Sequence, residues 1–288
     1  MTVVAGSIGV HLKFADHLAE NSKRTNANDD RDPETITNED VSSETTVEAQ
    51  TASRKGRLDF STDMNDINSH VTPALAKLLN DSIVINSTAF EGTDETGAEG
   101  GFVGSKTETA LMTFGQKMGW KHYKEVREQA KIVQMIPFSS ERKSMGVVVQ
   151  LEGGKGYRLM LKGASEVLAK ASNHHVIVEE NSAASSSSDT TDIPTAEFND
   201  ETRSNISRTI IFYACQSLRT IALCSKDFPS WPPPGVKTNG EGEVDFNDLF
   251  HDLTLIAITA IEDPLREGVA KAVATCQKAG VMVKMCTG

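Results

Sequence analysis

The order of apolar and polar positions predicts a central β-hairpin. Two apolar runs rich in β-branched residues, Met145–Leu151 and Tyr157–Leu161, are separated by glycines at positions 153, 154 and 156. Apolar runs split by clustered glycines are typical of two antiparallel strands joined by a turn. Ile132–Ile136 predicts a further strand directly before the hairpin. Three other runs also predict strands: Met1–Val10, Arg219–Ser225 and Leu253–Ile261.

Four segments are predicted to be helical. The helix at Pro73–Asn80 is favoured by Thr72 as N-cap and by proline in the first helical position. The others are the end of Phe102–Met118, the short segment Ser165–Ala171, and Thr195–Leu218, whose apolar residues recur at helical spacing.

Two polar tracts interrupt this pattern. Residues 15–69 are acidic and rich in Asn, Thr, Ser and Glu, and residues 180–192 are rich in serine. Such segments hold too few large apolar side chains to build a core, so we expect disordered insertions. The acidic insertion is interpreted either as a solvated loop or as a regulatory segment that binds a partner and is phosphorylated.

Composition narrows the class of protein. The formal charge of −11 argues against a nucleic-acid-binding protein, although a local basic pocket remains compatible with it. The four cysteines, at positions 215, 224, 276 and 286, form no CxxC pair, and the adjacent histidines at 174 and 175 point apart on a helix or strand. We therefore predict free thiols and no metal site. The 288 residues contain no secretory signal and no apolar run of about 18 residues, so a soluble, cytosolic chain is expected.

Candidate binding chemistry flanks the hairpin. Phe138 and Lys143 precede its first strand, and Lys162 follows its second. An aromatic ring beside two ammonium groups on a rigid sheet is suited to stack a base and hold its phosphates. A core phenylalanine with two solvated lysines explains the same spacing, so the residues alone leave both interpretations open. Glu108, by position, is a first-turn acid favoured by the helix dipole.

Longer motifs favour the nucleotide interpretation. PFSSERKSM at residues 137–145, followed by KGASE at 162–166, resembles the paired signatures of the nucleotide-binding domain of P-type cation-transporting ATPases. GSKTETAL at residues 104–111 and IEDPLREGV…CQKAGV near the end follow the order of that family. Together these motifs are most similar to plasma-membrane and vacuolar calcium pumps of type IIB.

The resemblance implies a role for each candidate residue. It implies that Phe138 stacks on adenine, that Glu108 accepts a hydrogen bond from the adenine amino group, and that Lys143 lies near the base and ribose. Lys162 and Gly163 of KGASE would line the deep end of the pocket, and Arg219 would reach the phosphates. Some relatives have arginine where this chain has Ser140, so that phosphate contact is expected to be absent.

The resemblance also implies the fold and the domain boundaries. We expect an α+β nucleotide-binding domain at residues 1–262, with an antiparallel sheet flanked by helices. Residues 263–288 would form a hinge with Asp263 and Arg266, and the first β-α-β unit of a Rossmann-like, haloacid-dehalogenase-type phosphorylation domain that includes Thr287 and Gly288. The phosphorylated aspartate of the family's DKTGT segment is expected outside the chain.

The function implied is ATP delivery in a pump. The domain would present ATP, with its Mg²⁺, to that aspartate, and so drive Ca²⁺ transport by a parent protein in the vacuolar or plasma membrane. Its partners would be the phosphorylation, actuator and transmembrane domains. This chain alone is expected to bind ATP without hydrolysing it. Three alternatives remain: the same domain from another P-type pump, a soluble phosphatase, which would need a DxDGT-like nucleophile that this sequence lacks, and a regulatory module acting through the acidic insertion.

Overall fold

A computed structural model describes residues 1–16, 62–93, 99–178 and 193–286. Most of the two expected insertions lies outside these ranges, and so do Thr287 and Gly288. The strands are β1 Thr2–Ile8, β2 Leu12–Ala15, β3 Thr62–Asp63, β4 Phe90–Thr93, β5 Glu99–Val103, β6 Lys131–Ser139, β7 Ser144–Gln150, β8 Tyr157–Ala164, β9 Ser172–Val176, β10 Thr195–Glu197, β11 Arg219–Phe228 and β12 Leu253–Glu262. The helices are α1 Ile67–His70, α2 Pro73–Val84, α3 Lys106–Lys117, α4 Tyr123–Gln129, α5 Ser165–Ala171, α6 Asp200–Cys215, α7 Phe246–Leu249 and α8 Val269–Lys278.

One large sheet organises the described residues. Its order is β3-β2-β1-β12-β11-β8-β7-β6, with β9 also beside β12 and β10 beside β9. The pairs are antiparallel except β2–β3 and β9–β12, and β4 and β5 form a separate hairpin. The predicted α+β architecture, a largely antiparallel sheet flanked by helices, is confirmed.

The predicted central hairpin forms the β7–β8 pair. Its register aligns Ser144 with Gly163 and Gln150 with Tyr157. The turn passes through Gly153 and Gly154, whose φ angles of 69° and 71° lie in the left-handed region that glycine adopts without strain. The glycine signal therefore identified the turn correctly.

The two faces of the sheet support two separate cores. Val147, Val149 and Met160 pack on one face with residues of α2, α3 and α4. Val148 and Leu161 pack on the other face with residues of α5 and α6. Successive strand residues point to opposite faces, so runs that are continuously apolar fill both cores.

The described chain overlaps the predicted acidic insertion at both ends. Ala15 ends β2 and Asp16 follows it, and β3 begins at Thr62, inside the range of 15–69 expected for the insertion. Met64 and Ile67 are completely buried and belong to the core of α2 and α3. Burial of these apolar side chains holds the segment against the domain, although the average composition of the whole tract is polar.

The start of the longest helix also differs from the prediction. Thr195–Glu197 pairs with β9 as a strand, so the longest helix begins only at Asp200, where Asn199 and Thr202 form a capping box. Ser105 caps α3 by accepting a hydrogen bond from the Glu108 amide.

The expected C-terminal β-α-β unit is not confirmed. Its helix forms as α8, but residues 281–286 are not a strand, and no second strand follows α8 within the described residues. The helix buries none of its residues, and Met282 and Met285 are also exposed. A β-α-β unit needs a sheet on which its helix can pack, and the exposure of α8 shows no such packing in the described chain.

The role of Ile67 in the core gives a stability prediction. We expect Ile67→Ala to lower the free energy of unfolding by about 2–5 kcal/mol, because it leaves a cavity at a side chain with no exposure. Urea denaturation monitored by circular dichroism measures the change. The matched control is Ile211→Ala on α6, where the side chain is 61% exposed and the cost should stay within about 0.5 kcal/mol. Equal losses of unfolding free energy in the two variants would show that burial of Ile67 contributes no more to stability than an exposed side chain does.

Candidate functional site

The candidate residues of the hairpin lie together at one end of the sheet. Phe138 is near the end of β6, Lys143 is in the turn to β7, and Lys162 is near the end of β8. The pairs Ser139–Ser144 and Ser144–Gly163 bring these strand ends side by side at that end of the sheet. Antiparallel pairing thus assembles residues that are up to 24 positions apart in the sequence.

Glu108 and Lys162 form a buried ion pair near this end of the sheet. The Lys162 ammonium donates to Glu108 Oε1 at 2.9 Å, and the two residues are only 4% and 5% exposed. Thr88 completes the shell: its amide donates to Oε1 at 3.1 Å and its hydroxyl donates to Oε2 at 3.0 Å. A buried charge needs a partner and further hydrogen bonds, and this carboxylate has both.

Burial and pairing shift the pKa of both groups. Burial raises the pKa of the Glu108 carboxyl, but the Lys162 charge and the bonds from Lys162 and Thr88 outweigh it, so the pKa lies below its ordinary value of 4.5. Burial lowers the pKa of Lys162, and attraction to Glu108 offsets only part of that effect. The carboxylate is therefore charged at neutral pH and is a ready hydrogen-bond acceptor.

Phe138 is displayed on the surface. The β6–β7 register shifts between the pairs Ile136–Gly146 and Ser139–Ser144, so Pro137 and Phe138 fall in an irregular part of the strand. Proline lacks an N–H donor and is tolerated here because β6 lies at the edge of the sheet. The ring is 62% exposed. Phe138 is therefore not a core residue, and the simpler interpretation left open by its spacing does not hold.

Gly163 allows two chain segments to approach closely. A Cβ at this position would lie 2.4 Å from the Lys143 carbonyl oxygen and 2.7 Å from Ser144 Cβ, both too short for an alanine. Lys143 itself has a φ of 52° and its carbonyl accepts from the Ala164 amide at 3.0 Å. The glycine thus serves the backbone geometry that positions Lys143.

Two further cations lie at the rim. Arg219, at the start of β11, is exposed, and its Nη1 lies 3.4 Å from the Thr107 hydroxyl on the first turn of α3. The Lys143 ammonium lies 3.7 Å from a Glu166 carboxylate oxygen, with both side chains more than half exposed. The rim therefore combines solvent-accessible positive groups with the N-terminus of α3.

The hinge candidates come directly after β12, whose Ile261 pairs with Arg219 at the rim. Asp263 and Arg266 are exposed in the segment after β12. Thr287 and Gly288 lie outside the described residues, so their predicted place in a phosphorylation domain stays a prediction.

Sequence patterns did not identify the residues that support the ion pair. Asn86 donates its side-chain amide to the carbonyl oxygens of Met145 and Met160 at 3.4 and 3.3 Å. Arg127 donates to the carbonyl oxygens of Val84 and Ser87 at 2.9 and 2.8 Å. These bonds hold the loop that carries Thr88 against the hairpin. No spacing signal in the sequence linked its polar residues to Glu108.

Other features of the described residues lie away from this site or are absent. A cavity of about 420 Å³ lies toward the far end of β7, where Pro73, Trp120 and Leu151 contribute to its wall, and none of the candidate residues line it. Among the described residues, no group of three or more His, Cys, Asp or Glu side chains is placed to hold a metal. No helix in the described ranges combines the length and apolar character needed to span a membrane.

Comparison with protein families gives the decisive observation. The model of a family described as "P-type ATPase, cytoplasmic domain N" matches residues 74–268. The chain belongs to this family. The family resemblance predicted from the motifs is thereby confirmed, and the match covers every candidate residue from Glu108 to Arg266.

Relatives of this N domain are calcium pumps by name. "Calcium-transporting ATPase 2" of Cryptococcus neoformans var. grubii is 53% identical over the whole chain, which covers 18% of that protein. The protein of the same name from Schizosaccharomyces pombe is 32% identical over the whole chain, which covers 20% of it. Human "Plasma membrane calcium-transporting ATPase 3" is 36% identical over 76% of the chain and 17% of its own length. The chain thus spans about a fifth of the length of the curated relatives it matches.

The buried ion pair of the N domain gives a double-mutant prediction. We expect Glu108→Gln to cost about 3–5 kcal/mol of unfolding free energy, because it leaves the Lys162 charge buried without a counter-charge. Glu108→Gln combined with Lys162→Met should recover much of that loss, since no charge is then buried. Urea titration of the single and double variants measures the coupling. Additive losses in the double variant would contradict the pairing.

The same pair predicts a pH dependence. The folded-state pKa of Glu108 is below 4.5, so its stabilising effect is complete above that pH and is lost as pH falls through the lower folded pKa. The stability difference between the unsubstituted chain and Glu108→Gln should therefore be constant near neutral pH and shrink below pH 4.5. Urea midpoints collected across the acid range check this. A difference that shrinks already between pH 7 and 6 would show that the pKa is raised instead.

Proposed function

We propose that this N domain binds ATP at the end of the sheet where β6 and β8 end and β7 begins. The observation that carries the proposal is an exposed aromatic ring, Phe138, beside the buried Glu108–Lys162 pair. A base stacks on such a ring with a gain of roughly 1–3 kcal/mol. Glu108, held as a charged acceptor, would receive the adenine amino hydrogen, and Lys162 would close the inner end of the pocket. Polar groups that are fixed before the ligand arrives favour selective binding.

The phosphates would extend toward the basic rim. Lys143 and Arg219 are exposed there, and the guanidinium geometry of Arg219 suits a phosphate. The rim supplies cations rather than a cluster of carboxylates, so we place Mg²⁺ on the phosphates of ATP and not on protein ligands. When bound, Mg²⁺ would neutralise charge on the transferring phosphoryl group.

In the parent protein, the role of the domain would be delivery. The acceptor would be an aspartate of a neighbouring domain, because the 288 residues contain no DKTGT segment. Movement about β1 and the segment from Asp263 to Arg266 would bring the γ-phosphate to it. Positioning of reacting groups supplies up to about 7–11 kcal/mol in favourable cases. The phosphorylation, actuator and transmembrane domains would be the partners.

The names of the relatives suggest the transported ion. Fungal and animal relatives are called calcium-transporting ATPases, and one is called a plasma-membrane pump. We therefore propose Ca²⁺ as the transported substrate of the parent protein, in a plasma or vacuolar membrane with this domain on the cytosolic side.

ATP titration tests the binding site. Saturable binding to the 288-residue chain is expected by calorimetry. Phe138→Ala should raise the Kd roughly fivefold or more, because base stacking is lost. Ile211→Ala removes an exposed apolar side chain from α6 and should leave the Kd unchanged.

Three outcomes would each contradict a different part of the proposed function. An unchanged Kd in folded Phe138→Ala would exclude stacking on this ring. An absence of binding by the parent chain would contradict the proposed function altogether. Release of inorganic phosphate at a pump-like turnover rate by the purified chain would contradict the assignment of the acceptor aspartate to another segment.

A further inference from the structure

The turn between β6 and β7 contains an arginine that the nucleotide site does not explain. Arg142 Nη2 donates to the carbonyl oxygen of Pro137 at 2.8 Å, directly before Phe138. Its guanidinium carbon lies 4.8 Å from the centre of the Phe246 ring, within the range of a cation–π contact. Arg142 thus joins the irregular part of β6 to a segment more than 100 positions away in the sequence.

That distant segment is itself fixed to β6. The Gln134 side-chain amide donates to the Val244 carbonyl at 2.8 Å, and the Val244 amide donates back to Gln134 Oε1 at 2.9 Å. Both residues are buried. The Phe246 ring, at the start of the short helix α7, stacks on the ring of Phe250, which follows that helix, with the ring centres 4.9 Å apart. The segment Val244–Phe250, called here the brace, therefore contacts β6 at Gln134 and the following turn at Arg142.

The position of this contact matters because the register of β6 is lost there. Pro137 has no N–H, and Phe138 lies between the last regular pair and the pair Ser139–Ser144. The hydrogen bond from Arg142 to the Pro137 carbonyl fixes the backbone at a point where the regular β6–β7 pairing is interrupted. Arg142 Nε is buried and has no hydrogen-bond partner among the described groups, so the bond to Pro137 and the contact with Phe246 are what orient this guanidinium.

We propose that Arg142 is a positioning residue that acts through Phe138, with the brace holding its guanidinium in place. The inference rests on the proposed nucleotide function. A fixed ring loses less conformational freedom when a base stacks on it, so the brace would raise affinity for the adenine end of the ligand. Arg142 would make no required contact with the phosphates.

Three ligands separate positioning from direct contact. The 288-residue chain and its Arg142→Ala variant are titrated with ATP, adenosine and tripolyphosphate by NMR. We expect the Kd of ATP and of adenosine to rise by the same factor, about threefold to tenfold, since part of the stacking energy is lost. Tripolyphosphate binding should not change, because Arg142 makes no required contact with the phosphates.

Matched variants make the result specific. Arg142→Lys keeps the charge but lacks the planar group that bonds Pro137 while lying on Phe246, so it should not restore adenosine binding. Phe246→Leu should weaken adenosine binding in the same direction while Arg142 is intact. Arg208→Ala removes an arginine of α6 that bonds Ser204 and should change no Kd. In a Phe138→Ala background, Arg142→Ala should have no further effect on adenosine.

The outcomes distinguish this inference from the proposed function. Failure of the parent chain to bind ATP and adenosine would overturn both. Parent binding with unchanged adenosine affinity in folded Arg142→Ala and Phe246→Leu would overturn the positioning role alone. A loss confined to ATP and tripolyphosphate, reversed in Arg142→Lys, would overturn it in favour of direct phosphate contact. If Arg142→Ala does not fold, Phe246→Leu decides by the same criteria.

Discussion

The buried ion pair between Glu108 and Lys162 is the interaction on which the candidate site depends. Its two members come from a helix and from a strand of the large sheet, so the pair fixes the distance between those elements at one edge. Neither charge is stable there without the other. Thr88 adds two bonds to the carboxylate, and Asn86 and Arg127 hold the loop that carries Thr88. The site is therefore a small polar network inside an otherwise apolar core.

The rest of the site combines that rigid interior with an exposed ring. In the proposed site, Glu108 and Lys162, which other protein groups already hold in place, would recognise polar atoms of the ligand. Phe138 on the edge strand would supply apolar contact area. This division resembles binding pockets in general, in which a few oriented polar groups confer selectivity and apolar surface contributes affinity. The close approach at Gly163 joins the two parts, because it sets the path of the backbone through Lys143.

Local signals in the sequence predicted the elements that are defined by local chemistry. The glycines of the hairpin, the Thr72–Pro73 start of α2 and the apolar runs of β11 and β12 each occur where predicted. Errors arose where a distant contact decided the outcome. Thr195–Glu197 became a strand because β9 is available to pair with it, and Met64 and Ile67 are ordered because a core accepts them. Thr88 and Arg142 were missed for the same reason, since their partners lie far away in the sequence.

The irregularity at Pro137 and Phe138 also bears on solubility. An edge strand exposes N–H and C=O groups that can pair with another chain, and β6 adds three large exposed apolar side chains before the irregularity: Ile132, Val133 and Met135. A proline and a break in register interrupt that row just before its largest exposed ring. The distortion that exposes Phe138 therefore also interrupts the row of unpaired backbone groups that another strand could use for pairing. One local irregularity would thus serve both the proposed ligand site and the solubility of the edge strand.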